Sequence, residues 1–402
     1  MFPRFLTLNL AGITDSSGII TPFNPARLST PGTLNILGKQ YGTDLLAALR
    51  LINQAATPRQ NYFPATPNFV LPEAALPTPY AQQWSATIEH ETRAGLTLSL
   101  AYTGTKGTHL LRFATPNLGP NAVLVVDGAS LTGDQVSLRG FAVSPGTALN
   151  FRRPNPLLGS ITTISADANS TYHSLQATAA LRLSRLQLNS SYPWSHAIDE
   201  VSDIFALAGA PNLPQDSFNR HNERADANFD VRHRFTEYFI WDVPLWERSR
   251  LWGGWQLAGI ATLQTGQPFT INSSIDINLD GNLTDRLNSL VGVRAVNDGA
   301  LRYSFPTTPL DQFHLLANAG ANGVIGRNTF RAPGVALVDL AINKHFRFSE
   351  RHALEFRTEV FNVFNRTHFG IPVRELLMPS VGRAVRTSVP ARTVQFGLRY
   401  KF

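Results

Sequence analysis

The feature that most constrains the fold of this chain is a two-residue alternation of apolar and polar side chains. It recurs from Tyr80 to the C-terminus; in one segment Leu96, Leu98 and Leu100 alternate with Thr97 and Ser99. This period is that of a β-strand whose two faces meet different surroundings. Nine segments show it, so we predict an all-β chain with strands at 80–91, 96–103, 174–183, 186–195, 229–244, 255–266, 336–347, 353–365 and 392–402.

The connections between these strands alternate between short and long. The short ones have roughly 4, 2, 12 and 5 residues, and the long ones roughly 65, 33, 69 and 26. In an antiparallel meander this alternation brings all the long loops to one end of the sheet. Short periplasmic turns and long extracellular loops are typical of outer-membrane β-barrels. We therefore predict part of a transmembrane β-barrel whose last strand ends at the periplasmic side.

The two faces of the predicted strands support a membrane location. Aromatic residues concentrate near strand ends, and the polar face is rich in Gln, Ser and Thr, which suits a water-filled lumen. The residues expected to face lipid are Ala86, Ile88, Leu98, Leu100, Leu175, Leu181, Leu188, Leu340, Ile342, Phe356 and Val360. A soluble β-sandwich or a propeller is the alternative, although no regular repeat indicates a propeller.

The strand number bears on closure of the barrel. Nine is odd, whereas bacterial single-chain barrels have an even number of strands. We therefore expect either an open, curved sheet or closure by one further strand, recruited from residues 1–79 or 267–335. Residues 1–79 are Pro-rich and predicted to be irregular, with one short amphipathic helix at 43–54, and residues 80–402 form the barrel region.

Composition excludes several classes of protein. Only 16% of the residues are charged, against about 25% in soluble proteins. The absence of cysteine excludes disulfide frameworks, thiolate metal sites and cysteine nucleophiles. The net charge is +7, but the basic residues are scattered singly, so no nucleic-acid partner is expected. No apolar run reaches the ~18 residues of a membrane-spanning helix. No enzyme motif is present, and no catalytic residue is predicted.

One loop motif resembles the start of a calcium-binding loop. The sequence DINLDGNLTD places Asp276, Asn278, Asp280 and Asp285 at a spacing that could bring their oxygens together. The bidentate Glu expected at the twelfth loop position is replaced by Leu287, so only weak calcium binding is expected. The alternative is an acidic turn without an ion, and no other cofactor is predicted.

A second polar segment precedes and enters the fifth predicted strand. We interpret it as a set of ion pairs that line the lumen and anchor a long loop; a recognition or catalytic cluster is the alternative. Its charged residues are Arg220, Glu223, Arg224, Asp226, Asp230, Arg232 and Arg234, and His221 and His233 lie among them.

The C-terminal sequence RTVQFGLRYKF alternates in the same way as the other strands. It resembles the terminal signal by which outer-membrane proteins are recognised by their assembly machinery, and a free terminal strand offers an unpaired edge for recognition. The residues assigned to this signal are Phe396, Gly397, Leu398, Tyr400 and Phe402. Glycine at 397 suggests a close approach of another group. The alternative is an ordinary closing strand.

Several segments together resemble a known family. They include PYAQQWSATIEHETRAGLTLSLAYTGTKGTHL, DSFNRHNERADANFDVRHRF, WGGWQLAGIATLQTGQPFTI, FRTEVFNVFNRTHFG and FGLRYKF. In this order they are similar to the C-terminal barrel region of Oar-like TonB-dependent transporters, which are abundant in Acidobacteria. The resemblance implies a bacterial outer-membrane location, a barrel of about 22 strands, an N-terminal plug and a TonB-contacting peptide.

The resemblance also implies a function and partners. The expected function is binding and uptake of an unknown ligand, and the expected partners are outer-membrane lipid and the assembly machinery. The N-terminus is a poor signal peptide and no plug precedes the barrel region, so we expect a fragment or a mis-started reading frame. TonB would act only through that N-terminal region. A passive pore, an adhesin or a secreted soluble β-protein is the alternative.

Overall fold

The structure is a computed structural model. It describes residues 69–92, 95–117, 161–203, 212–244, 252–273, 284–318, 321–349, 351–376 and 378–402, together with 34–36, 39–41, 154, 249, 277–278, 280 and 282. The strands are β1 (Leu34–Ile36), β2 (Lys39–Tyr41), β3 (Phe69–Pro72), β4 (Tyr80–Glu91), β5 (Leu96–Ala114), β6 (Ile161–Arg182), β7 (Leu186–Asp199), β8 (Ala225–Asp226), β9 (Arg234–Val243), β10 (Trp255–Gln264), β11 (Pro268–Phe269), β12 (Arg294–Asp298), β13 (Leu301–Ser304), β14 (Phe330–Arg331), β15 (Val335–Arg347), β16 (Ala353–Phe361) and β17 (Thr393–Lys401). A 3₁₀ turn spans Arg220–Glu223, and one short helix, α1, spans Pro309–Phe313.

Nine long strands form one antiparallel meander in the order β4-β5-β6-β7-β9-β10-β15-β16-β17. These are the nine strands expected from the sequence, in the same order, and the predicted fold class is confirmed. The boundaries differ at the long-loop end, where β5 runs on to Ala114 and β6 already begins at Ile161. Bulges between Gly107 and Leu111 interrupt this extension, and His109 adopts a φ of 58° there.

The sheet is open, which is one of the two outcomes expected from the odd strand number. Within the described residues, β4 and β17 are the two edges of the nine-strand path. One strand from residues 1–79 does join the sheet, because β3 pairs with β6. That pairing is parallel and lies at the start of β6, so it does not close a barrel. Residues 1–79, expected to be irregular, also contain the β1–β2 hairpin; the helix expected at 43–54 lies outside the described residues.

The register places the residues predicted to face lipid on one face of the sheet. Ile88 lies opposite Leu100, for example, and Leu340 lies opposite Val360. On this face Ile88, Leu98, Leu100, Leu175, Ile342 and Phe356 are exposed, and Leu181, Leu188, Leu340 and Val360 are half-buried. A water-soluble sheet buries its apolar face instead. An exposed apolar face is typical of a sheet whose outer side meets lipid.

The long loops at the other end form a folded region, which we call the cap: the described parts of 265–334 and 362–392. Its two segments are linked by backbone bridges, among them Asn272 with Glu375 and Leu301 with Arg383. The cap contains β11 to β14 and α1 and has its own apolar core. The core residues are Phe269, Ile271, Ile277, Leu287, Phe305, Phe313, Leu315, Leu316, Phe330, Ala332 and Leu376. The sequence analysis expected a long loop here, or one strand from 267–335 that closes the sheet; β11 to β14 lie in this range, and none of them joins the nine-strand path.

No helix in the described part of the chain is both long enough and apolar enough to cross a membrane.

Candidate extracellular binding site

Buried ion pairs connect the cap to the loop that follows β7. Arg286 donates from Nη1 to both carboxylate oxygens of Glu223, at 2.9 and 3.0 Å, and from Nη2 to the carbonyl of Asn222 at 3.1 Å. Gln215 supports the same pair, because its side-chain oxygen accepts the backbone N–H of Arg286. Arg286 and Glu223 are both buried, and a buried charge of this kind is tolerated only when it is paired and hydrogen-bonded.

Two further arginines of the cap bind carboxylates on the sheet side. Arg327 contacts the Asp199 carboxylate and also donates to the backbone carbonyl of Asp199 at 2.9 Å. Arg331 contacts the Asp226 carboxylate and donates to Asp230 at 3.0 Å. The cap is therefore anchored to the end of β7 and to the loop before β9 by charge-assisted hydrogen bonds, which are stronger than neutral ones.

Some residues of the charged segment predicted from the sequence take part in these contacts, and others are exposed to solvent. Glu223 and Asp230 lie in the cap contacts just described. Arg220 lies 3.3 Å from Glu200 and 3.6 Å from Asp167. Arg232 lies 3.4 Å from Asp226 and 3.7 Å from Asp230.

The other two arginines of the predicted segment do not take part in these contacts. Arg224 and Arg234 are exposed, and neither makes an ion pair within the described residues. Arg234 is the first residue of β9, which begins five residues later than predicted because the preceding residues serve the loop contacts instead.

The carboxylate of Asp226 is contacted by several basic side chains. Burial raises the pKa of Asp226, but the hydrogen bond with His196 and the charges of Arg331 and Arg232 outweigh it and hold the pKa below its ordinary value. The His196 Nε2 lies 2.8 Å from the Asp226 carboxylate. Asp226 therefore remains ionised well into the acidic range.

A small open cleft lies where these contacts meet the extended end of β5. Arg112 lines it and is fixed by Asp167, to which it donates at 2.6 and 3.0 Å. The cleft combines three guanidinium groups and two carboxylates with an apolar wall, a combination that suits a ligand with both polar and apolar parts. Its lining residues are Arg112, Phe113, Glu200, Val201, Asn212, Leu213, Pro214, Arg220, Glu223 and Arg327.

The loop predicted to bind calcium lies next to the cap contacts. Asp276 lies outside the described residues. Asp285 accepts the backbone N–H groups of Ile277 and Asn278 at 2.6 and 3.3 Å, and Asn278 accepts the N–H of Asp280 at 3.0 Å. The described residues contain no group of three or more His, Cys, Asp or Glu placed to hold a metal ion. Calcium binding therefore stays a prediction.

Asn282, which the sequence analysis did not select, lies in the same loop. Its amide nitrogen donates to the Thr115 hydroxyl at 2.8 Å and lies 3.2 Å from the Asp280 carboxylate. Asn282 and Thr115 are both buried. This loop thus joins the cap to the end of β5.

The C-terminal strand β17 is exposed along its whole length. Tyr400 bonds to Nδ1 of His352 at 2.7 Å, and Phe402 stands almost fully exposed. The close approach expected at Gly397 is not seen among the described residues, where a Cβ would meet only Arg357 at an ordinary 3.8 Å. A close approach of this kind does occur at Gly104, where a Cβ would lie only 2.3 Å from the indole of Trp84.

Comparison with known proteins decides the family. Residues 12–395 match the model of a family described as outer membrane beta barrel domain. The chain belongs to this outer-membrane β-barrel family. Its location is therefore the bacterial outer membrane, in agreement with the exposed apolar face. No curated protein matches the chain.

Solved structures similar to this β-barrel domain are outer-membrane transporters and receptors. YddB from Escherichia coli is 9% identical, with a TM-score of 0.46 over 83% of this chain and 34% of its own. FrpB from Neisseria meningitidis is 10% identical, with a TM-score of 0.39 over 83% and 33%. The pyoverdine receptor FpvA from Pseudomonas aeruginosa PAO1 is 13% identical, with a TM-score of 0.39 over 81% and 30%. The chain spans about a third of the length of these structures.

Proposed function

We propose that this chain is the ligand-binding barrel portion of a TonB-dependent outer-membrane uptake receptor. The observation that carries the proposal is the folded cap at the extracellular end of the sheet. An apolar core such as that around Phe269 and Leu287, together with the Arg286–Glu223 pair, gives the long loops one fixed arrangement. Fixed loops can present a preformed site, which reduces the ordering cost of binding.

The cleft at Arg112, Arg220 and Arg327 is the proposed contact for the ligand. Its guanidinium groups are held by Asp167, Glu200 and Asp199. A site fixed in this way selects by shape and by hydrogen bonding. Uptake would then require energy supplied through TonB, for which the resemblance to the Oar-like family is the support.

A gene deletion in the source bacterium tests this function. The compounds removed from a complex growth medium are compared between the deletion strain and strains that carry the wild-type full-length gene or its Phe269→Ala variant. We expect the deletion to slow the removal of one or a few compounds, and we expect wild type but not the cap variant to restore it.

Energy dependence separates the receptor from a passive pore or an adhesin. A protonophore should abolish the uptake restored by the wild-type gene, because TonB-dependent transport needs an energised inner membrane. Restored uptake that survives the protonophore would indicate a pore. If the deletion changes the removal of no compound, the chain does not serve uptake under those conditions and the proposal fails.

We also propose that β17 directs assembly into the outer membrane. Its exposed backbone edge can pair with a strand of an assembly factor, and Phe402 extends beyond the last ladder residue. In the protein expressed from its own gene, Phe402→Ser should reduce insertion and leave periplasmic aggregate. Val394→Ser, at the other end of the same face, is the matched control. Equal surface levels of the two variants would show that β17 only closes the sheet.

A further inference from the structure

Three pairs of tyrosine and histidine recur on the apolar, outward face of the sheet. In each pair the tyrosine hydroxyl lies 2.7 to 2.9 Å from the histidine Nδ1, and the two rings are nearly parallel, with interplanar angles of 15 to 18°. The pairs are Tyr102–His173, Tyr192–His233 and Tyr400–His352. One geometry thus holds a histidine ring at three separate places on this face.

The first pair has two additional neighbours. The indole of Trp84 covers the bare backbone of Gly104 and lies 6.2 Å from the His173 ring. Gly104 lies opposite His173, and Lys106 is the next residue of β5 on the same face. Lys106 is therefore a diagonal neighbour of His173, at roughly 7–8 Å. We call Trp84, Tyr102, Lys106 and His173 the upper-rim cluster.

The height of this cluster follows from strand geometry. From Leu96, beside the periplasmic turn, β5 rises to Lys106 by roughly 26 Å along the barrel axis, at ~3.4 Å per residue and a tilt of ~40°. The apolar band of an outer-membrane barrel is about 25 Å tall. Lys106 therefore lies where hydrocarbon gives way to head groups on the extracellular side, and His173, level with Gly104, lies about 5 Å below it.

The polar atoms of the cluster are suited to an anion. The Tyr102 hydroxyl is hydrogen-bonded to Nδ1 of His173, so the Nε2 nitrogen on the opposite side of the ring remains for a ligand. The charged ring donates from Nε2, and so does the neutral tautomer whose Nδ1 accepts the tyrosine proton. Lys106 is exposed and adds an ammonium group.

Among the described residues, neither Lys106 nor His173 makes an ion pair with an acid, and the other outward positions of β4, β5 and β6 at this height are uncharged. His196 lies opposite His173 and is bound to the Asp226 carboxylate. Asp226 is already engaged by Arg232 and Arg331.

We infer that the upper-rim cluster binds the phosphate of a phosphorylated lipid head group in the outer leaflet. Lys106 and His173 would hold the phosphate oxygens, and Trp84 and Tyr102 would pack beside the adjoining part of the lipid. Lipid is the medium that meets this face at this height. Basic groups at a membrane surface favour phosphorylated head groups. The inference depends on the outward orientation of the face and not on the transported ligand.

Lipid retention tests the inference. The protein expressed from its own gene is placed in phosphatidylcholine nanodiscs that contain a minor fraction of diphosphoryl lipid A, and retained lipid A is counted by native mass spectrometry. The paired change Lys106→Gln with His173→Gln should weaken retention about fivefold or more, since one basic group near a membrane surface contributes about 1 kcal/mol. His352→Gln is the matched control, because it breaks the same kind of pair at the opposite rim.

Three outcomes would overturn the inference. Unchanged retention by the paired variant shows that the cluster does not bind the lipid. An equal loss in His352→Gln shows that disruption of any such pair is sufficient. Full displacement of lipid A by inorganic phosphate shows a site for the free ion. Heat-modifiable migration in gels confirms that each variant is folded before it is compared.

Discussion

The membrane sheet and the cap use similar apolar side chains in opposite ways. In β17, Phe396 and Leu398 are 69% and 70% exposed, whereas in the cap Phe269 and Leu287 are 2% and 0% exposed. Both arrangements remove apolar surface from water, because lipid covers the first and other side chains cover the second. The surrounding solvent, more than the residue types, decides which face of an element is buried.

Polar side chains also differ in burial between the sheet and the cap. On the lumen face of the sheet, Gln176 donates to Ser191 at 3.1 Å and remains exposed. Beneath the cap, Arg286 and Glu223 are buried as a pair. A water-filled lumen leaves polar side chains solvated, whereas the cap has to satisfy them internally.

The largest expected effect comes from one change made in both regions. Phe269→Ala should destabilise the cap by about 3–5 kcal/mol, because it leaves a cavity in a packed core. Phe396→Ala on the outward face should cost clearly less, since fluid lipid fills the space. Protease protection of the cap and a refolding titration into vesicles measure the two costs. Equal losses of stability in the two variants would show that the cap core and the lipid-facing side chains are packed in the same way.

The next effect uses arginine to distinguish the two faces of the sheet. Leu100→Arg should cost about 2–4 kcal/mol in membrane stability, because it places a charge in the lipid-facing band. Gln176→Arg should cost far less, since its side chain points to the lumen. Reversible folding into lipid vesicles gives both values. If the two substitutions cost the same, the assignment of faces is wrong.

A smaller effect concerns pH and the cap contacts. The pKa of Asp226 is held below its ordinary value, so its contribution to stability is present above the unfolded value of about 3.9 and is lost as pH falls through the folded value. The contribution is about 1 kcal/mol or less for a partly exposed carboxylate. Wild type should open its cap more readily as pH falls below about 4, as measured by hydrogen exchange.

The matched variants for this measurement are Asp226→Asn and Asp298→Asn. The first should remove the acid-dependent step, and the second, at an exposed position of the cap, should retain it. An acid-dependent step that persists unchanged in Asp226→Asn would assign the opening to other carboxylates.

The smallest expected effect is calcium binding by the loop that contains Asp280. The spacing predicts a weak dissociation constant of ~10⁻⁴–10⁻³ M. Calorimetry of the full-length protein should show a calcium-dependent heat that Asp280→Ala removes and Asp298→Ala does not. If wild type and Asp280→Ala give the same calcium-dependent heat, the loop is a structural turn that does not bind calcium.

The sequence predicted the sheet well because a two-residue period reports locally on two environments. The assignment of Ile88, Leu100, Leu340 and Val360 to one face needed no long-range information. The cap could not be predicted in this way. Arg286 and Glu223 are 63 residues apart, and the contact of Arg327 with Asp199 spans 128. No local pattern specifies such pairings, so the charged residues were recognisable but their partners were not.

The glycines show the same limit. Gly397 was selected because it interrupts a strand, yet a side chain would fit there. Gly104 interrupts β5 in the same way, and the indole of Trp84 on the neighbouring strand fills its place. Only the cross-strand neighbour distinguishes the two.

Among the described residues, β4 and β17 each have one backbone edge without a partner strand, which has a consequence for how the sheet enters a membrane. β4 exposes a backbone edge 12 residues long and β17 one of 9. Water can solvate these N–H and C=O groups, but hydrocarbon cannot, and each unsatisfied group there costs several kcal/mol. Entry into lipid and pairing of these edges must therefore be a single event, and any strand that joins them has to match their length and their order of donors and acceptors.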